Sequence, residues 1–127
     1  MSDKPKGELT TRTIAMPANT NPSGDIFGGW VLSQMDIAGG ICAGERAKCR
    51  VVTVAVESMH FIRPVKVGDV LCVYTEIQSV GHTSMDIHIE AWAQRDRSRR
   101  MVRVTEAKFT FVALGADGRP RELPGED

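Results

Sequence analysis

The apolar positions change period along the chain, and those changes divide it into elements. From Gly29 to Gly44 they fall at Trp30, Val31, Leu32, Met35, Ile37, Ala38, Ile41 and Cys42, which at about 100° per residue leaves almost no polar face. That pattern predicts a helix of about 24 Å, ending at Gly44 or within Glu45–Lys48 and enclosed by its own domain. The turn residues Asn21, Pro22, Ser23 and Gly24 lead into it. Elsewhere the pattern is strand-like. Leu9–Met16 is a first strand stopped by Pro17, Val51–Ile62 a β-branched run ended by Pro64, and Val70–Val80 a third strand closed by Gly81. Ser84–Arg95 alternates cleanly, with Met85, Ile87, Ile89, Ala91 and Ala93 on one face and Asp86, His88, Glu90 and Trp92 on the other. After a charged loop at Asp96–Arg100 comes a last strand, Met101–Leu114. Its apolar parity switches between Val102/Val104 and Ala107/Phe109/Phe111, which places a bulge near Glu106.

The predicted order is thus strand, long apolar helix, then four strands joined by short connections, so the sheet is expected to be mostly antiparallel. One sheet curled around one helix leaves part of that helix uncovered. A second copy of the chain is the simplest cover, and a homodimer is expected. Residues 1–8 read as a flexible N-terminus, 9–115 as the folded domain and 116–127 as a mobile C-terminal tail.

Composition narrows the function. The chain has 127 residues, 16 basic against 16 acidic, so no global charge draws it to nucleic acid or to an anionic membrane. Its longest apolar run is too short for a membrane span, and the polar N-terminus lacks a signal-peptide core. Cys42, Cys49 and Cys72 show no metal-ligand spacing and read as reduced structural cysteines, which suits a cytoplasmic protein.

Candidate chemistry gathers on the predicted helix. Gly28 and Gly29 leave backbone N–H groups bare at its start, where the helix dipole favours an anion or a developing oxyanion. The same pair also suits a tight turn or close packing. Asp36 has Leu32, Gly39, Gly40 and Ala43 as helical neighbours, none a charge partner. It reads as a general base or a nucleophile, or else as a carboxylate that reaches solvent or a distant arginine. Gly29 and Asp36 lie about 10 Å apart along the axis, too far to serve one carbonyl from one straight helix. An antiparallel helix from a second copy brings such groups together. Asn21 reads either as an active-site amide or as an Asx turn with Pro22, and Asp25 as a helix N-cap. His60, His82 and His88 form no ligand cluster in the sequence, and no serine sits in a nucleophile elbow. Arg63 and Lys66, and the group Arg97, Arg99, Arg100 and Arg103, read as phosphate partners or as solvated charge.

NPSGDIFGGWVLSQMDIAGG followed by VVTVAVESMHFIRPVKVGDVL, with VGHTSMDIHIEAW and EAKFTFVAL later, closely resembles the YciA-like acyl-CoA thioesterases of the hotdog-fold superfamily, over about Arg12–Leu123. The resemblance implies an α+β hotdog fold, a curved antiparallel sheet wrapped around one long helix. It also implies a homodimer as the minimal unit, three of which make a hexamer. The implied activity is hydrolysis of acyl-CoA to a carboxylic acid and CoA, as part of fatty acid metabolism, with no metal or redox cofactor. By position Asp36 is the catalytic carboxylate, and Asn21 comes from the other subunit. Gly29, with Gly28 beside it, supplies the amides that polarise the thioester carbonyl. Phe61, Arg63, His82, Thr83 and Ser84 fall in segments that line the CoA channel of relatives. Two rivals share the fold. A non-catalytic acyl-CoA sensor has no need of Asp36 and Asn21, and a hotdog dehydratase needs a histidine that the loop and helix lack.

Overall fold

Among the described residues five strands and one α-helix form in the order predicted, with a short 3-10 turn at Pro17–Asn19 between the first strand and the helix. A computed structural model of the protein describes residues 4–95 and 97–126, and expectations for residues 1–3, 96 and 127 lie outside them. Strand β1 is Glu8–Ile14, helix α1 Gly28–Ala47, β2 Arg50–Glu57, β3 Val70–Val80, β4 Ser84–Gln94 and β5 Met101–Leu114. The strands make one antiparallel sheet in the order β1-β3-β4-β5-β2. α1 lies across the concave side and touches all five strands, which is the hotdog arrangement.

The alternation in β4 sets the core. Met85, Ile87, Ile89, Ala91 and Ala93 are buried under the helix, with Phe109 and Phe111 beside them on β5. Small residues on α1 let it settle close. A Cβ at Gly39 would stand 2.6 Å from Ile89 Cδ1 and 2.8 Å from the Phe111 ring, so only glycine fits that contact. The inward stripe of the helix is Val31, Met35, Ala38, Gly39, Ala43 and Ala47. Full burial of each large side chain in this layer contributes about 1.5–3 kcal/mol.

The helix is not enclosed by its own chain. Leu32, Ile37 and Ile41 are 37%, 52% and 44% exposed; Val52, Val54 and Val56 on the edge strand β2 are exposed too, and Val56 lines one hollow with Leu32. The all-round apolar pattern therefore covers one contact with this sheet and an apolar side that the sheet leaves exposed.

Among the described residues four strands carry an extra residue, at Thr10 in β1 and Gln78 in β3 as well as in β2 and β5. In β5 the bulge falls at Val104, two residues before the expected Glu106, because Ala91 pairs with Thr105 while Trp92 pairs with Arg103. In β2 it falls at Val54, since Thr53 pairs with Phe111 while Ala55 pairs with Thr110. β2 also stops at Glu57, short of the predicted Ile62. Ser58 takes a left-handed φ of 51°, which ends the strand. The chain then runs beside the β5 bulge. The Ile62 N–H donates to Val104 O at 2.7 Å, and Thr105 Oγ1 donates to His60 O at 2.6 Å.

Both terminal segments of the described residues are pinned. Gly7, at φ +92°, packs against the Thr75 carbonyl, and the Lys6 N–H donates to buried Glu90. The C-terminal segment, expected to be mobile, is held by hydrogen bonds from Arg121 N–H to Ala113 O and from Leu123 N–H to His82 O. Arg46 Nη1 reaches Pro124 O, and Leu123 packs on the core. No helix among the described residues is long and apolar enough to cross a membrane.

Candidate active site

α1 begins without a side-chain cap. Its N-cap is Phe27, and the predicted cap Asp25 instead pairs with Lys66 at 2.9 Å. The Gly28 and Gly29 N–H groups have no protein partner among the described residues, and both glycines are exposed. The positive end of the helix dipole is therefore open. Gly29, Leu32, Ser33 and Asp36 follow one another at helical spacing along a single stripe. With Thr53 and Val56 of β2 and Phe109 of β5 they line a hollow of about 310 Å³.

Asp36 is half-buried in this hollow rather than sealed in the domain. Its partner is a hydroxyl: Thr53 Oγ1 donates to Asp36 Oδ1 at 2.5 Å. Oδ2 has no protein partner among the described residues. Ser33, the other hydroxyl of the hollow, donates to Trp30 O at 2.7 Å, and that bond ties it to its own helix. Seven residues still separate Gly29 from Asp36, about 10 Å along the axis, so the two share a hollow without meeting at one atom.

Gly28 faces a second hollow of about 300 Å³, apolar apart from its rim, with Ile26, Val31, Phe61, Arg63 and Val104 among its walls. The Phe61 ring lies on Gly28, where a Cβ would meet it at 3.2 Å. Among the described residues Arg63 Nη1 reaches only Arg103 O, at 3.5 Å, and no carboxylate pairs with it. His82 and Thr83, in the β3–β4 turn, and Ser84, the first residue of β4, lie elsewhere. There the carbonyls of Thr83 and His82 accept from Ala113 and Leu123. That turn stands by the end of β5, near the helix C-terminus, whereas Phe61 and Arg63 stand by its N-terminus. Asn21 forms the Asx turn, its Oδ1 accepting from the N–H groups of Ser23 at 2.9 Å and Asp25 at 3.1 Å. Its side-chain N–H₂ has no partner among the described residues. One chain thus joins Gly29 with Asp36, and Gly28 with Phe61 and Arg63, but leaves Asn21 and His82–Ser84 apart from both.

The thioesterase superfamily model matches residues 23–100, more than half the chain. The acyl-CoA thioester hydrolase YciA of Salmonella typhimurium is 54% identical over 127 residues, 98% of this chain and 96% of that one. The chain is a YciA-like member of the thioesterase superfamily. The crystal structure of a hexameric thioesterase from Yersinia pestis superposes with a TM-score of 0.93 at 53% identity, covering 97% of this chain and 100% of that chain. A hexameric broad specificity acyl-coenzyme A thioesterase superposes at 0.92 with 51% identity, covering 98% of this chain and 86% of that chain.

Within this thioesterase framework, sequence reasoning missed Thr53. It lies in a β-branched run where a threonine looks like one more strand former. The available signal was a hydroxyl at an inward position of the strand facing the helix. Reasoning from the histidines also missed a polar cluster on the outer face of the sheet. His88 Nε2 lies 2.7 Å from Glu90 Oε2 and 3.4 Å from Glu106 Oε1, and ligand-type atoms of the three residues fall within 4.8 Å of one another. Trp92 Nε1 and the Lys6 N–H also donate to Glu90, while Arg103 stands 3.3 Å from Glu106. Burial pushes the Glu90 carboxyl up, but the hydrogen bonds from His88, Trp92 and Lys6 outweigh it and leave the pKa below the usual value. Donors and a guanidinium already compensate these carboxylates, which makes the cluster a structural network.

Proposed function

We propose that the protein hydrolyses acyl-CoA thioesters to carboxylic acid and CoA, in the cytoplasm, at a site shared between two copies of the chain. The observation that carries this reading is the helix stripe that presents the free Gly29 N–H and the Asp36 carboxylate into one hollow, in a chain about half identical to acyl-CoA thioester hydrolases.

Gly29 and Asp36 cannot reach one carbonyl from the same helix, but an antiparallel partner helix sets one chain's Gly29 opposite the other's Asp36. The uncovered side of α1, with the exposed valines of β2, offers the apolar surface for that pairing. The same two-fold axis brings the Phe61 and Arg63 end of one chain toward the His82–Ser84 end of the other, forming a CoA channel that neither has alone. It brings the free Asn21 amide to the partner's Asp36. Relatives described as hexameric support a trimer of such dimers.

The Gly29 N–H, with Gly28 beside it, stabilises the oxyanion as the thioester carbonyl is attacked. Asp36 acts through Oδ2 by one of two routes. It takes a proton from the attacking water and passes it to the departing CoA thiolate, or it attacks the carbonyl to give a mixed anhydride that water then opens. Either route consumes one water, yields acid and thiol, and draws on no metal or redox cofactor. Single-turnover hydrolysis in ¹⁸O water tests the second route, because water that opens the anhydride at the Asp36 carbonyl leaves label in Asp36, whereas the first route leaves none there. The primary test is free-thiol release from a series of acyl-CoA substrates. Turnover across several chain lengths supports the reading, since the common CoA portion supplies binding energy. Tight binding of every acyl-CoA without turnover contradicts it.

A further inference from the structure

We infer that Arg95 is a positioning residue for the CoA-binding segment, holding the backbone next to Arg63 so that the Arg63 guanidinium meets the CoA phosphates. The inference rests on the proposed role of Phe61 and Arg63 in binding CoA. Residues 58–66 belong to no strand or helix, so no ladder fixes their backbone. They are held at separate points instead. On the Phe61 side, Thr105 Oγ1 donates to His60 O and the Ile62 N–H donates to Val104 O. On the far side the Ile26 N–H donates to Val65 O at 3.3 Å, and Arg95 Nη2 donates to Pro64 O, the carbonyl next to Arg63.

Arg95 is itself seated. Its Nε donates to Asp69 Oδ2 at 2.9 Å, and the same oxygen accepts the Lys66 N–H at 2.8 Å. Asp69 is only 5% exposed, so its charge needs a fixed cation beside it. One guanidinium thus joins a buried carboxylate to the Pro64 carbonyl, and Asp69 holds the same segment again at Lys66. The planar fork suits this task. Nε and Nη2 serve two acceptors from one rigid plane, whereas a lysine ammonium is a point charge on a flexible stem.

Pro64 and Val65 line the hollow in which Phe61 and Arg63 stand, but Arg95 and Asp69 do not. Arg95 therefore acts through the backbone and touches no substrate atom. Its loss frees the segment beside Arg63, so the Arg63 guanidinium is less often where a CoA phosphate would meet it. Gly29 and Asp36 lie outside this network and keep their geometry. The expected result is weaker CoA binding with the chemical step unchanged.

The test measures steady-state thiol release in the assembled protein from an acyl-CoA and from the matching acyl-pantetheine, which keeps the thioester but has no phosphate. Arg95→Met, Arg95→Lys and Arg63→Met are compared. Arg95→Met is expected to raise KM for acyl-CoA about tenfold with kcat changed less than about twofold, and to leave kcat/KM for acyl-pantetheine unchanged. Arg95→Lys keeps the charge but not the fork, and is expected to recover only a minor part of the loss. Arg63→Met combined with Arg95→Met should raise KM no further than Arg63→Met alone, because both act on one contact. Should Arg95→Met fold poorly because Asp69 is left unpaired, Arg95→Met with Asp69→Asn removes both charges and carries the same comparison. Unchanged KM in Arg95→Met, full recovery in Arg95→Lys, or an equal loss with acyl-pantetheine overturns the inference. If Arg63→Met raises KM while Arg95→Met does not, this inference fails alone. An unchanged KM for acyl-CoA in Arg63→Met removes the reading on which it rests.

Discussion

The two sides of helix α1 make the most informative comparison in the molecule. The inner side is complete. Val31, Met35, Ala38, Gly39, Ala43 and Ala47 are buried against a sheet that fits them so closely that Gly39 has no room for a methyl group. The outer side is unfinished. It carries exposed Leu32, Ile37 and Ile41, open space at Gly29 and Gly40, and a half-buried Asp36 in a hollow that one chain leaves open. The lesson is a division of labour along one rod. One side supplies the packing free energy of the domain, and the other holds the groups that the proposed function assigns to a site shared with a second chain.

Substitutions on the two sides should therefore have different signatures. The largest effect is expected at Asp36. Asp36→Asn should lower kcat/KM by about 10²–10⁴-fold while leaving thermal unfolding and assembly mass unchanged. A large drop in melting temperature would mean that the carboxylate belongs to the stabilising side. Phe111→Ala should do the reverse, costing about 3–5 kcal/mol in denaturant unfolding while the molecules that remain folded turn over nearly normally. Ile37→Glu with Ile41→Glu should cost each side chain's interface burial, about 1.5–3 kcal/mol apiece, and appear as smaller species in light scattering together with lost turnover. A fully assembled, active variant would show that this side contacts nothing. Gly39→Ala should destabilise by about 1–3 kcal/mol through overpacking against the Phe111 ring, without a change in mass.

The smallest effect is expected from acid. The Glu90 carboxyl titrates lower in the folded chain than in the unfolded one. Its contribution is therefore present in full above the unfolded value, about 4.3, and is lost as pH falls through the folded one. Glu90→Gln should flatten that acid-side loss in a melting-temperature series while leaving turnover near neutrality intact. An unchanged acid slope would exclude Glu90 as its source.

Much of this comparison was legible in the residues. The Met85-to-Ala93 alternation fixed which face of β4 meets the helix, and the parity switch in β5 announced a bulge, placed at Val104 instead of near Glu106. The apolar excess on α1 pointed to a second cover. What stayed hidden depends on contacts between distant segments. Nothing in Val51–Ile62 reveals that Val54 is an extra residue or that Ser58 turns left-handed, because both follow from pairing with β5. For the same reason the bond from Thr53 to Asp36 is invisible in sequence. Asp25 looked like a cap because capping is judged from neighbours, but Lys66, 41 positions away, claims it. The C-terminal segment looked mobile by composition, yet Leu123 and Arg121 find carbonyls left open by the β3–β4 turn and the end of β5.

Complementation between two inactive variants bears most directly on a site built from both chains. Asp36→Asn lacks the carboxylate and Gly29→Pro lacks the amide N–H, at a first-turn position where proline is tolerated. Co-expressed in equal amounts, with each species purified as a control, they should form mixed dimers in which one site carries both defects and the other carries neither. The account predicts recovery of about a quarter of the activity of the unaltered protein, since half of the dimers are mixed and each holds one intact site. Mixed assemblies as inactive as their parents would place both groups in one chain's site and contradict it.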